Sequence, residues 1–131
     1  QMSQTAKLEP FLGVLKKHRY DKFLVSHGLD GYSLALDYKV TERNWIDLQA
    51  LAHSMNDVVL EAGGRFYLAK DSTLRPEDVE RYLGTSLDRF RELKAQLDPE
   101  NLLTSDQAAR VFKLCVAGNH DCSRQLGSPF D

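Results

Sequence analysis

The sequence predicts an α+β fold: an antiparallel sheet with helices packed on one face. Three observations carry this expectation. Residues 31–40, GYSLALDYKV, alternate strictly, with Tyr32, Leu34, Leu36, Tyr38 and Val40 on one side and Ser33, Ala35, Asp37 and Lys39 on the other. Residues 41–64, TERNWIDLQALAHSMNDVVLEAGG, switch to apolar positions three and four apart, as a helix lying on a core requires. The order of elements is strand, strand, helix, strand, helix, helix, which lacks the strict alternation of a parallel βαβ sheet.

Residues 1–9 are polar and form an approach to the fold. PFLGVLKKH, residues 10–18, is a first strand, since bulky apolar residues follow a proline that cannot donate to a central ladder. Residues 19–30 mix charges, aromatics and glycine and make a long connection to the second strand. In that second strand the Tyr/Leu/Val side is expected beneath the helices. The small polar side is expected to face something other than a hydrophobic core. The long helix has Trp45, Leu48, Leu51, Ala52, Met55, Val58, Val59 and Ala62 as its stripe. Thr41 is the expected N-cap, Glu42 complements the first turn, and Gly63 and Gly64 supply a left-handed exit. RFYLAKD then reads as a third strand. RPEDVERYLGTSLDRFRELKAQLDP is a second helical region that opens on Pro76, breaks at Gly84 and stops at Asp98-Pro99. Residues 105–117 suggest a short last helix. The expected division is a folded part over residues 1–117 and a loose tail over 118–131.

Composition narrows the function classes. With 131 residues, 42% hydrophobic and 27% charged, the chain can bury a core without a disulfide or metal staple. A net charge of −2 argues against nucleic-acid binding, which favours a basic excess. No apolar run approaches the roughly 20 residues that span a bilayer. QMSQTAKLEP lacks the apolar centre of a signal peptide, and two cysteines are too few for a disulfide framework, so a reducing, cytoplasmic location is the expectation.

Few residues suggest chemistry. In GRFYLAKDST, a short apolar run ends in Lys70 beside Asp71. Lys70 is either a strand-end lysine that reaches solvent or pairs with Asp71 or Glu61, or a cation at the edge of a pocket, stabilising negative charge on a cofactor or substrate. Tyr67, three residues earlier, points away from Lys70 on a strand and reads as a core aromatic with its hydroxyl satisfied. Lys16 and His18 share strand parity with Leu12 and Val14, and Lys16 is a strand-end lysine or a second pocket cation. Cys115, His120 and Cys122 offer three possible zinc ligands where a structural site needs about four, and no metal site is expected. Phosphate loops, nucleophile elbows, HExxH and GxGxxG are all absent from the sequence.

At GGRFYLAKDS the chain resembles the C-terminal cap-domain part of FAD-linked oxidoreductases of the vanillyl-alcohol-oxidase type. The branch it resembles is that of decaprenylphosphoryl-ribose oxidase, aldonolactone oxidases and alditol oxidase. FLGVLKKH resembles a family strand ending in a pocket lysine, GYSLALDYKV the next strand, and FRELKAQLDPENLLTSD the closing helix and Asp-Pro turn. Together these cover roughly residues 10–110, in order. The resemblance implies a cap sheet that roofs the flavin ring and lines the substrate pocket with its polar face. It implies Lys70 as a catalytic, cofactor-side cation and Lys16, Ser33, Ala35 and Tyr67 as substrate-binding residues. Ser33 and Ala35 stand where the decaprenylphosphoryl-ribose branch has asparagine and cysteine, so that branch's substrate is not carried over. The implied activity is oxidation of an alcohol of a sugar, polyol or lactone by hydride transfer to FAD. FAD is bound mainly by a separate FAD-binding domain of the same protein, so the chain is expected to be part of a longer enzyme and inactive alone. A stand-alone, non-catalytic binding module is the alternative.

Overall fold

The computed structural model describes residues 1–114. It contains α1 (Met2–Thr5), β1 (Leu12–His18), β2 (Gly31–Asp37), α2 (Trp45–Glu61), a 3₁₀ turn (Leu68–Lys70), α3 (Pro76–Leu83), α4 (Thr85–Leu97) and α5 (Asp106–Phe112). The class is α+β with a two-stranded antiparallel sheet. These elements form two units: residues 1–22 and 26–73, and residues 23–25 together with residues 74–114. The possible ligands Cys115, His120 and Cys122, the end of the last expected helix and the expected tail over 118–131 lie outside the described residues.

In the first unit, β1 and β2 pair over their full length, from Leu12 opposite Asp37 to His18 opposite Gly31. Directly opposed residues share a face. One face therefore carries Gly13, Leu15, Lys17, Tyr32, Leu34 and Leu36, and the other carries Leu12, Val14, Lys16, His18, Ser33, Ala35 and Asp37. The expectation that helices cover the Tyr/Leu side is corrected here. Leu15, Leu34 and Tyr32 are 65%, 61% and 69% exposed, while Ser33 and Ala35 are half-buried. Alternation assigns side chains to two faces, but it does not say which face the chain covers.

Past the ribbon, the Tyr38 hydroxyl shares a 2.7 Å hydrogen bond with Ser3 of α1 and lies 4.0 Å from the Met55 sulfur of α2. Helix α2 starts three residues later than a Thr41 cap would allow, with Asn44 in the cap position. The Thr41 amide and hydroxyl both donate to Asn44 Oδ1, at 2.7 and 2.9 Å, and Asn44 and Trp45 amides donate to Thr41 O. Thr41 thus closes the turn ahead of the helix and is not its cap, because its hydroxyl is committed to Asn44. At the far end, Gly63 takes the left-handed exit at φ 71°. Gly64 lies so close to α2 that its amide donates to Val59 O at 2.8 Å.

RFYLAKD is not a third strand. Tyr67 is extended (φ −84°, ψ 96°), but the next three residues turn, with Lys70 N donating to Tyr67 O and Asp71 N to Leu68 O. Asp71 Oδ1 then accepts from Thr73 N at 2.9 Å. Among the described residues no strand edge pairs with this segment, so its backbone groups are satisfied locally.

The second unit is built around a buried carboxylate. Asp78 is 2% exposed and accepts from the Arg75 amide at 2.9 Å and from the Arg75 guanidinium at 2.7–3.1 Å. This closes the first turn of α3 just ahead of Pro76. Leu74, Val79, Leu83, Leu87, Val111 and Phe112 are buried in this unit, and the Phe90 and Phe112 rings lie 5.0 Å apart. Each fully buried aliphatic side chain here contributes about 1.5–3 kcal/mol. Gly84 separates α3 from α4 at φ 52°, the break expected there. Helix α4 stops at Asp98, whose carboxylate pairs with Lys94 and accepts from the Leu102 and Leu103 amides at 2.8 and 2.9 Å. The Lys94 bond and the Leu103 amide hold its carboxyl below the usual carboxylate range. Ser105 caps α5 through its hydroxyl, and the helix ends at Phe112 before a left-handed Lys113.

Two substitutions test this packing. A methyl at Gly64 would sit 2.6 Å from a Val59 methyl and 2.9 Å from Val59 O, so Gly64→Ala should cost about 1–3 kcal/mol by urea unfolding. Arg75→Met strips the buried Asp78 carboxylate of its guanidinium and should cost about 3 kcal/mol in the same measurement, since a partly stranded charge remains inside.

Candidate functional site

The polar face of the ribbon assembles a group of side chains that are remote in sequence. The ladder puts Lys16 opposite Ser33 and Val14 opposite Ala35. His18 Nε2 and Ser33 Oγ share a 2.7 Å hydrogen bond. The connection over residues 19–30 folds back toward this pair. Ser26 Oγ donates to Asp21 Oδ2 at 2.7 Å and accepts from Gly28 N at 2.9 Å, and Arg65 donates to Ser26 O at 3.3 Å. Held in this way, His27 meets the His18 ring edge to face at 4.8 Å and 74°, and its other neighbour is the Tyr67 ring at 4.7 Å. Ser33, His18, His27 and Tyr67 form one continuous row.

The site residues expected from sequence are brought together unequally. Lys16, Ser33 and Ala35 share the polar face. Tyr67, which is 52% exposed, joins them through His27. Lys70 stands on the 3₁₀ turn that begins just after Tyr67, and not at a strand end. It is exposed, and among the described residues its amine pairs with neither Asp71 nor Glu61. The Lys16 amine likewise has no acidic partner among the described residues. Lys16 and Ser33 on the polar face, with the His18 imidazole bonded to Ser33, form a set of donors suited to polar groups of a ligand.

His18 and His27 had no functional expectation attached to them. For His18 the signal was present, since it lies two residues beyond Lys16 on the same strand face. His27 had none, because its neighbours come from a strand and from a turn forty residues on. Burial makes the His27 imidazolium unfavourable, His18 adds like-charge repulsion, and Asp21 opposes both more weakly, so its pKa lies below the ordinary 6.5.

The unfolded chain therefore binds this proton more readily than the folded one. The stability that neutral His27 contributes is fully present above about pH 6.5 and is lost as the pH falls through the lower, folded value. The urea midpoint should drop between about pH 7 and about pH 5, and His27→Phe, which keeps a ring against Tyr67, should reduce that drop.

The D-arabinono-1,4-lactone oxidase family matches this chain over residues 26–111, which include β2, Tyr67 and Lys70. An uncharacterized protein in the mprA 5′ region of Streptomyces coelicolor is 42% identical over 81 residues, covering 62% of this chain. Those residues are 20% of that relative, so the chain spans about a fifth of its length. No helix among the described residues is long and apolar enough to cross a membrane. The match extends over most of the chain and includes the second strand, the long helix and the lysine turn, and the chain belongs to the D-arabinono-1,4-lactone oxidase family.

Proposed function

We propose that this chain is the substrate-side part of an FAD-dependent oxidoreductase that oxidises an alcohol of a sugar, polyol or lactone. The observation that carries this reading is the register that puts Lys16 and Ser33 directly opposite each other on the polar face. Family membership gives the reaction class, and the short span of the chain against its relative supports an FAD-binding partner within the same protein. When bound, FAD supplies the hydride-accepting ring. Lys70 would hold a positive charge where electrons arrive, which lowers the barrier by matching charge that develops only in the transition state. Lys16 and Ser33 would orient the hydroxyls of the substrate. Ala35 leaves room on the same face, and Tyr67 closes one side of the site.

In the full-length protein loaded with FAD, Lys70→Ala should lower turnover of D-arabinono-1,4-lactone by about a hundredfold to a thousandfold. Thermal unfolding should stay unchanged, because the Lys70 side chain is exposed. Unchanged turnover would remove Lys70 from the reaction.

A further inference from the structure

Alcohol oxidation releases a proton as well as a hydride, and neither lysine of the site is suited to take it. A lysine amine is cationic at neutral pH, whereas an imidazole changes charge there. We infer that the Ser33 hydroxyl and the His18 imidazole form a relay that accepts the substrate's hydroxyl proton. This rests on the oxidoreductase reading and names the residues through which the proton leaves.

The geometry is a hydroxyl and an imidazole nitrogen at 2.7 Å, on the face that also carries Lys16 and Ala35. In the relay, Ser33 Oγ–H donates to His18 Nε2, leaving the oxygen of Ser33 free to accept from the substrate hydroxyl. When bound, FAD would supply the oxidant, taking the electron pair of the breaking C–H bond as hydride. The O–H bond breaks, its proton passes to Ser33 Oγ, and the proton of Ser33 passes to His18 Nε2. The carbinol carbon becomes a carbonyl, so the alcohol is oxidised and the balance closes with His18 as imidazolium.

The groups that face this imidazole suit the charge it gains. His27 presents its ring edge to face at 4.8 Å, and its reluctance to protonate keeps a second cation away. Asp21, on the same connection, supplies a negative charge acting on His27. Lys16 is the opposing cation on the shared face, and Tyr67 lies beyond His27. Ser33 is the residue that touches the substrate, and His18 acts through it.

The test uses the full-length protein loaded with FAD, with D-arabinono-1,4-lactone as probe. Gln in place of His18 keeps a hydrogen-bonding group near Ser33 but takes no proton. His18→Gln should lower kcat by about a hundredfold or more, leave KM within about threefold, and remove the acidic limb of the kcat–pH profile. A separate reading needs no turnover. In protein labelled with ¹⁵N at histidine and free of FAD, lactone should move the His18 Nε2 resonance, and Ser33→Ala should abolish that movement. Turnover within about threefold of wild type in His18→Gln, a retained acidic limb, or an unmoved His18 resonance overturns the relay while wild-type oxidation still stands. A wild-type protein that oxidises no lactone overturns the oxidoreductase reading, and the relay with it.

Discussion

The antiparallel ladder between Leu12–His18 and Gly31–Asp37 determines which side chains share a face, and the site depends on it. A slip of one residue would send Ser33 and Ala35 to the opposite side of the ribbon from Lys16 and His18. The hydrogen bond between His18 and Ser33 spans the two strands and belongs to this register. The connection over residues 19–30 then closes on the pair through Ser26, Asp21 and Gly28, and this brings His27 into contact with the rings of His18 and Tyr67.

The ribbon is unusual in what it leaves uncovered. A two-stranded sheet has little stability by itself, and here its apolar face, with Leu15, Leu34 and Tyr32, is mostly open while His18, Ser33 and Ala35 on the other face are half-buried. The polar face is held by specific contacts: one hydroxyl–imidazole bond and a row of rings in edge-on and tilted contact. Its arrangement is directional, which suits orienting a ligand. The unpaired amines of Lys16 and Lys70 add charge without a compensating carboxylate among the described residues.

The other unit follows a different logic. Asp78 is buried among Leu74, Val79 and Leu83, and its charge is tolerable because the backbone and guanidinium of Arg75 both converge on it. That contact sets the start of α3, and the apolar stripe through Leu87 and Phe90 then meets Val111 and Phe112 of α5. Arg91 and Arg110 add bonds to the carbonyls of Phe112 and Leu74. The result is a helical unit whose polar groups serve its own architecture.

Local rules made several features legible in advance. The alternation of residues 31–40, the stripe of α2, the break at Gly84 and the stop at Asp98 each depend on neighbours a few residues away, and each occurs where the sequence places it except that the strand stops at Asp37, short of Val40. The family resemblance carried by GGRFYLAKDS and the strands before it was also visible at this level, since it is a property of residue order. Other features could not be read this way. Which face of the ribbon is covered depends on where the rest of the chain lies. The turn at Lys70 depends on whether a strand edge is there to receive it, and the role of Thr41 depends on the competing amide of Asn44. The row of Ser33, His18, His27 and Tyr67 joins contacting residues up to 40 positions apart, and only a folded backbone sets those distances.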